Sequence, residues 1–222
     1  MTAVADTVVL FDVDNTLLDN DRVIADIGAY LECNFSASVR ERYWQIFEEL
    51  RASLGYADYL AALQRYRLGA LHEPRLLAMA IWLIDYPFAD RLYPGALTAV
   101  AHAGTLGTPV ILSDGDAVFQ PRKVQRSGLL RAFGQANVLI YVHKEHELAD
   151  VERLFPARRY VMVDDKLRIL TAMKQIWGPR LVTIFPRQGH YALDAKLIAQ
   201  YPPADMAIET IGDLVNVRLP AL

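Results

Sequence analysis

The sequence has a single cysteine, Cys33, among its 222 residues, so it cannot form a disulfide within the chain. A lone cysteine is more typical of a reducing compartment than of an oxidising one. The first residues lack the uninterrupted apolar segment of a signal peptide, because Asp6, Asp12 and Asp14 break it. No continuous apolar run approaches the roughly 18 residues that a membrane-spanning helix requires. We therefore expect a cytoplasmic protein without a membrane partner.

The chain also lacks a strong excess of one charge sign, with 23 Lys and Arg residues against 26 Asp and Glu residues and a net charge of −3. Without a basic excess there is no electrostatic reason to expect duplex nucleic acid as a partner. Apolar residues make up 53% of the chain and charged residues 22%, as in globular proteins. The length accommodates one domain with a large insertion or two small domains.

Short apolar runs recur along the chain and predict buried strands of the parallel type. The first run spans residues 8–11, and further strands are predicted at 109–112, 138–142, 160–163, 181–185 and, as a short edge strand, 206–208. Helix-like segments separate the later runs, and a last helix is predicted over 211–217. Strands that alternate with helices indicate an α/β fold, in which a parallel sheet carries helices on both faces.

Residues 17–90 interrupt this alternation, because they contain no convincing strand. Apolar periodicity predicts four helices there: one around 24–31, one from Ser36 or Ser38 to Gly55, one over 59–69, and one between Pro74 and Pro87. If Ser38 caps the second helix, Glu41 completes a capping box. Four such helices can form a bundle with its own core, or they can pack directly on the sheet.

Polar residues follow four of the predicted strands at the point where each strand ends. They are Asp12 and Asp14, Ser113 with Asp114, Lys144, and the pair Asp164 and Asp165. Ligands of open parallel sheets bind at this edge. Carboxylates repel one another and are costly to bury unpaired, so their clustering needs a cause. A hard cation such as Mg²⁺, which binds carboxylates and phosphate oxygens, provides one.

The run Asp12-Val13-Asp14-Asn15-Thr16 resembles the DxDxT motif of the haloacid dehalogenase (HAD) superfamily, in its phosphatase branch. The four strand ends match the four motifs of that superfamily in residue type and order, and the resemblance covers essentially the whole chain. It implies a Rossmann-like core domain of residues 1–16 and 91–222 and an inserted helical-bundle cap domain of residues 17–90.

The resemblance implies a role for each of four catalytic residues. Asp12 is the expected nucleophile, which forms an aspartyl-phosphate. Asp14 is the expected general acid for the leaving alcohol and then the general base for water. Ser113 is expected to donate a hydrogen bond to the phosphoryl group, and Lys144 to supply a fixed positive charge beside it.

The same resemblance implies Mg²⁺ as the cofactor. Its expected ligands are a carboxylate oxygen of Asp12, the backbone carbonyl of Asp14, and one or both of Asp164 and Asp165. We favour Asp165 as the direct ligand. The fourth motif is a plain acidic pair instead of a glycine-led one, so the sequence leaves the choice between these two carboxylates open.

The expected function is a Mg²⁺-dependent phosphomonoester hydrolase that acts on a small phosphorylated metabolite. A phosphomutase with the same residues and a non-catalytic HAD-like binding protein remain alternatives. Carbon–halogen cleavage is not expected, because the dehalogenases that name the superfamily lack the acid found at Asp14. The sequence does not identify the substrate, and it is compatible with a monomer and with a homodimer.

The candidate residues also have purely structural interpretations. Asp14 can cap a turn, Ser113 can belong to a plain turn, and one of Asp164 and Asp165 can cap the following helix. Lys123 competes with Lys144 for the catalytic role, because it follows the second motif and can reach the site.

Other polar residues carry weaker expectations. We expect Lys166 to point to solvent and residues 186–191 to form a structural loop. His143, His146 and His190 lack convincing metal-ligand spacing. Five cap residues are possible substrate contacts: Arg40, Arg42, Arg51, Tyr56 and Tyr59.

Overall fold

The sheet at the centre of the fold is six-stranded and entirely parallel within residues 4–220, the part of the chain that the computed structural model describes. The spatial strand order is β3-β2-β1-β4-β5-β6. The strands are β1 (Ala5–Phe11), β2 (Thr108–Asp114), β3 (Val138–Tyr141), β4 (Ala157–Val163), β5 (Leu181–Pro186) and β6 (Met206–Ile208). All six predicted strands are confirmed, and the α/β Rossmann-like fold class with them.

The helices connect these strands and cover both faces of the sheet. The first four are α1 (Asn20–Asn34), α2 (Ala37–Leu54), α3 (Tyr59–Leu68) and α4 (Arg75–Asp85). They are followed by α5 (Ala96–Leu106), α6 (Phe119–Arg126), α7 (Leu129–Phe133), α8 (Leu148–Leu154), α9 (Leu167–Trp177), α10 (Gly189–Leu193) and α11 (Ala195–Ile198). No helix in these residues has both the length and the hydropathy needed to cross a membrane.

Alternation along β1 divides the core into two apolar clusters. Val9 and Phe11 belong to a cluster that continues into the four inserted helices, whereas Val8 and Leu10 face the opposite cluster with α8 and α9. Because β1 pairs with β2 on one side and β4 on the other, it is buried at the centre of the sheet. The residue that follows β1 therefore lies at the middle of the ligand-binding edge.

The four inserted helices α1–α4 occupy the predicted cap region, between β1 and α5. A chain of aromatic rings joins them to α6: the Phe47 and Tyr59 ring centroids are 4.9 Å apart, Tyr59 and Phe119 5.0 Å, and Phe88 and Phe119 5.5 Å. The helices thus share an apolar cluster with the sheet. The domain bounds 1–16, 17–90 and 91–222 stay a prediction, and residues 1–3 and 221–222 lie outside the described residues.

Local details of three helical segments needed the structure. Ser36, one of the two predicted caps of α2, accepts a hydrogen bond from the backbone N–H of Val39, so the alternative capping box of Ser38 with Glu41 does not form. The last helix is a 3₁₀ segment, Ile211–Asn216. The helix-like segment between β3 and β4 is divided into a 3₁₀ turn, Lys144–His146, and α8. Periodicity marks the buried face of a helix, but it does not fix the hydrogen-bond pattern at its ends.

Two glycines at the end of α5 give a test of this packing. A Cβ atom on Gly107 would lie 2.2 Å from the backbone oxygen of Thr7, whereas no atom lies within 4 Å of a Cβ built on Gly104. We expect Gly107→Ala to lower the free energy of unfolding by about 1–3 kcal/mol, because β1 must shift. Gly104→Ala, on an exposed part of the helix, should raise it by about 0.5–1 kcal/mol. Urea denaturation measures both, and equal effects would contradict this account of the β1–α5 packing.

Candidate active site

The polar residues predicted at the four strand ends converge at the carboxyl edge of β1, β2 and β4. The backbone N–H of Asp12 donates to the oxygen of Val163 on β4 at 3.0 Å, which continues the strand pairing past the end of β1. Asp12, Asp164 and Asp165 are all buried, as is Lys144. Side chains far apart in sequence are therefore brought to one buried cluster.

Lys144 is the cation of this cluster. Its Nζ lies 2.5 Å from Asp12 Oδ1 and 2.7 Å from Asp164 Oδ2. Burial alone lowers the pKa of the Lys144 ammonium, but Asp12 and Asp164 outweigh burial and raise it above its ordinary value. Lys144 is therefore charged and neutralises part of the acidic cluster.

Asp165 has no such partner, although its side chain is fully buried. Neither of its carboxylate oxygens has a hydrogen-bond partner among the described residues, and Asp12 Oδ2 has none there either. Burial raises the pKa of the Asp165 carboxyl well above its ordinary value, against the lowering effect of Lys166. Burial likewise raises the pKa of Asp164, where Lys144 opposes it.

These unpartnered oxygens fit a hard divalent cation. One carboxylate oxygen from each of Asp12, Asp164 and Asp165 lies within 4.8 Å of the others. Hard cations prefer carboxylate oxygens, and a buried carboxylate without a hydrogen bond is costly unless a cation compensates it. The donor set therefore suits a divalent metal, with the two oxygens of Asp165 as the most available ligands.

Asp14 lies next to the cluster but has a different partner. Lys123 Nζ, which is fully buried, lies 2.6 Å from Asp14 Oδ1 and 3.0 Å from the side-chain oxygen of Asn20. Both rival lysines thus reach the site: Lys144 contacts Asp12, and Lys123 contacts Asp14. Asp14 is not a simple turn cap, because a buried ammonium fixes its carboxylate beside the acidic cluster.

Ser113 and Asp114 hold the end of β2 in place. Gln120 donates its side-chain N–H to the Ser113 hydroxyl at 3.0 Å, and Asp114 Oδ1 accepts a hydrogen bond from the backbone N–H of Lys144 at 2.8 Å. Ser113 is buried beside the site. Asp114 has a structural role, because it positions the backbone of the lysine that pairs with the expected nucleophile.

Asn15 determines how the chain leaves the site after β1. It adopts the left-handed conformation, with φ of 59°, and its side-chain oxygen accepts hydrogen bonds from the backbone N–H groups of Asn20 and Asp21. Gln188 donates to the backbone oxygens of Asn15 and Thr16. Part of the predicted loop 186–191 is therefore structural, and it fastens the DxDxT turn to β5.

A cavity of about 370 Å³ lies between the inserted helices and this edge of the sheet, with Asp14 in its wall. Three of the five cap residues predicted as substrate contacts line it: Arg51, Tyr56 and Tyr59. Arg40 and Arg42 instead form exposed ion pairs with Glu32 and Glu49. Aromatic rings, which include those of Phe47 and Phe119, also line the cavity.

One expectation about the opposite wall was wrong. Lys166 does not point to solvent: it lines the cavity, with its Nζ 5.1 Å from the centre of the Tyr191 ring. His190 and Tyr191 belong to α10 and not to a loop, and both line the cavity, so the segment after β5 contributes to its wall as well as to the fold. The position of Lys166 directly before α9 turns its side chain toward the sheet edge, and the sequence alone carries no signal for this direction.

Comparison with known proteins places this geometry in a family. Residues 7–176 match the family model of haloacid dehalogenase-like hydrolases. A structure of an inferred haloacid dehalogenase-like hydrolase from Burkholderia xenovorans LB400 is 61% identical and has a TM-score of 0.91, with 96% of this chain and 99% of that chain covered. A search of curated proteins found no significant match.

More distant structures share the fold. The L-2-haloacid dehalogenase of Xanthobacter autotrophicus is 20% identical, with a TM-score of 0.62 over 95% of this chain and 97% of that chain. An inferred HAD hydrolase of Bacillus subtilis, solved with magnesium bound, is 15% identical, with a TM-score of 0.62 and the same coverage of both chains. From the match over residues 7–176 and the 61% identical relative, the chain belongs to the haloacid dehalogenase-like hydrolases.

Proposed function

We propose that this hydrolase is a Mg²⁺-dependent phosphomonoesterase that uses Asp12 as its nucleophile. The observation that carries the proposal is the environment of Asp12: Lys144 lies 2.5 Å from one carboxylate oxygen, and the other oxygen has no partner among residues 4–220. An oriented carboxylate with one available oxygen and an adjacent fixed cation suits attack on a negatively charged phosphoryl group.

The reaction proceeds in two displacements. In the first, Asp12 Oδ2 forms a bond to phosphorus, the bond from phosphorus to the ester oxygen breaks, and the departing oxygen takes a proton from Asp14. In the second, water attacks phosphorus, gives a proton to Asp14, and displaces the Asp12 carboxylate. Lys123 holds the Asp14 side chain at the cavity wall for both proton transfers.

Asp12, Asp165, Asp164 and the backbone carbonyl of Asp14 are the residues that would hold Mg²⁺. When bound, the ion neutralises charge on the transferring phosphoryl group. Lys144 already compensates Asp164 and one oxygen of Asp12. We therefore keep Asp165, whose two oxygens lack partners in the described chain, as the favoured direct ligand.

Carbon–halogen cleavage is the second candidate, because structural neighbours include haloacid dehalogenases. Those neighbours are 20% and 16% identical, which establishes a common fold and no common substrate. Asp14 with Lys123 favours phosphoryl transfer, because a proton donor and acceptor beside the nucleophile serves an alcohol leaving group and is not needed by a halide. A phosphomutase differs only in returning the phosphoryl group to substrate instead of water.

The first test is release of inorganic phosphate from an aryl phosphate. We expect release with Mg²⁺ and none with EDTA. Asp12→Asn should reduce turnover at least about 10³-fold with an unchanged circular dichroism spectrum, because it removes the nucleophile and keeps the side-chain shape.

The same preparations, given a 2-haloacid, should release no halide. Halide release without phosphate release would overturn the proposal in favour of a dehalogenase. Substantial phosphate release by Asp12→Asn would exclude the covalent mechanism.

The proposed metal site gives a separate prediction, measured by thermal unfolding. Mg²⁺ should raise the melting temperature of the native sequence, since a ligand of the folded state stabilises it. Asp165→Asn should abolish this rise and, in EDTA, melt at least about 2 °C higher, because it removes an uncompensated buried carboxylate. Asp6→Asn, at an exposed position, is the matched control and should behave as the native sequence.

The raised pKa of Asp165 predicts how the difference in melting temperature between Asp165→Asn and the native sequence depends on pH. Above the ordinary pKa of about 4, the folded state binds a proton that the unfolded state has lost, so the stability of the metal-free protein falls as pH rises. The melting temperature of Asp165→Asn relative to the native sequence should therefore increase between pH 4 and pH 7 in EDTA. A constant difference would mean that Asp165 is compensated in another way.

A further inference from the structure

The charges in the cavity wall are separated along the sheet edge. Asp14 follows β1, and Asp114 and Asp116 end or follow β2. On the other side, Lys166 follows β4 and His190 follows β5. Because β1 lies between β2 and β4 in the sheet, Asp114 and Lys166 lie on opposite sides of the end of β1, which Asp14 follows.

Three basic side chains meet at Tyr191 in the cavity wall. Arg51, on inserted helix α2, donates a hydrogen bond to the Tyr191 hydroxyl at 3.1 Å. Lys166 Nζ lies 5.1 Å from the ring centre, and the His190 and Tyr191 ring centroids are 3.9 Å apart. The cluster joins three elements, with Arg51 on the inserted helix α2, Lys166 directly before α9, and His190 and Tyr191 on α10.

The cluster has few ionic partners at short range. Within residues 4–220, no carboxylate oxygen lies within 4 Å of Lys166 Nζ. Burial lowers the pKa of Lys166, but the charges of Asp165, Asp12 and Asp164, which lie farther away, outweigh burial and raise it. Arg51 has only an exposed pair with Glu48 on its own helix, 3.3 Å away, and such pairs stabilise little. His190 differs, because its Nδ1 lies 2.5 Å from Asp21 Oδ1, which leaves Nε2 for another partner.

Aromatic rings line the cavity together with the cluster. They are the rings of Phe47, Tyr59 and Phe119, and Asn20 donates a hydrogen bond to the Tyr59 hydroxyl at 3.2 Å. A ligand in this cavity meets Asp14, aromatic rings and the basic groups of the cluster. The cavity is thus suited to a molecule that carries a second polar group besides the ester.

We propose that Lys166, Arg51 and Tyr191 bind a second anionic group of the substrate, a carboxylate or a phosphate, distal to the ester. The proposal rests on the phosphomonoesterase function above and narrows its substrate class to phosphomonoesters that carry a distal anion. Lys166 and Arg51 donate charge-assisted hydrogen bonds to this group, and the Tyr191 hydroxyl donates while it accepts from Arg51.

The experiment compares three aryl phosphates that share one reacting end. They are 4-(carboxymethyl)phenyl phosphate, 4-(phosphonomethyl)phenyl phosphate and the neutral isostere 4-(carbamoylmethyl)phenyl phosphate. We expect kcat/KM for at least one anionic compound to exceed that for the amide by about tenfold, as for a hydrogen bond between charged groups. The two anionic compounds distinguish a carboxylate from a phosphate as the natural distal group.

Variants then test which residues cause the preference for an anion. Lys166→Met and Arg51→Met should each reduce the ratio of kcat/KM for the anionic compound to kcat/KM for the amide to below about threefold. Lys166→Arg should retain the native ratio. Arg67→Met is the matched control for Arg51, because Arg67 is an exposed basic residue of α3 that does not line the cavity. It should keep the native ratio. A ratio taken within one variant is insensitive to a general loss of stability or of metal.

Two results would overturn the inference, and they have different consequences for the proposed phosphomonoesterase function. If all three compounds are hydrolysed with Mg²⁺ at equal kcat/KM, or if Lys166→Met and Arg51→Met keep the native ratio, the distal subsite is wrong and the phosphomonoesterase stands. If none of the three releases phosphate, the phosphomonoesterase fails and the subsite fails with it.

Discussion

The buried ion pair of Lys144 with Asp12 and Asp164 is the interaction on which the rest of this site depends. A lysine without exposed surface is stable only when carboxylates compensate it, and the carboxylates in turn need the lysine. The two partners of the short contact, Asp12 and Lys144, are 132 residues apart in sequence. Parallel pairing of β1, β2 and β3 brings them together, because each residue follows the carboxyl end of its strand. The strand order of the fold therefore places one cation among several acids.

The acidic cluster carries more negative charge than Lys144 can compensate, and this excess makes the site suitable for a cation. Asp165 and one oxygen of Asp12 remain without partners in the described residues, so the arrangement is unfavourable unless a cation joins it. A structural role alone does not account for such a cluster. Many chemistries use this fold, and the specific reaction therefore has to be argued from Asp14, Lys123 and the cavity wall.

The strand-end residues could be predicted from sequence because their placement needs only the strand order and the direction of each strand. Asp12, Ser113 and Lys144 follow short apolar runs, and the edge at which parallel strands end is common to all of them. The pairing of Lys123 with Asp14 could not be predicted in this way, because it depends on the rotation of α6 about its axis and on the direction of a long flexible side chain. The inward direction of Lys166 depends on the turn before α9, for which the sequence has no marker.

The inserted helices were predictable as helices, yet their relation to the sheet was not. Periodicity identified the buried faces of α2 and α3, but it could not show that Tyr59 packs against Phe119 of α6. This contact carries the apolar core into the inserted helices and forms part of the cavity wall. The lining of the cavity thus depends on residues whose neighbours are set by tertiary packing.

The most direct test of the central claim, that Asp12 accepts a phosphoryl group with help from Lys144 and Mg²⁺, needs no substrate. Beryllium trifluoride resembles a phosphoryl group and forms a bond to a carboxylate oxygen, so ¹⁹F NMR can detect it on the protein. With Mg²⁺ we expect bound fluorine resonances that disappear in EDTA and are absent from Asp12→Ala. Bound resonances that persist in Asp12→Ala, or none in the native protein with Mg²⁺, would contradict the assignment of Asp12 as the phosphoryl acceptor.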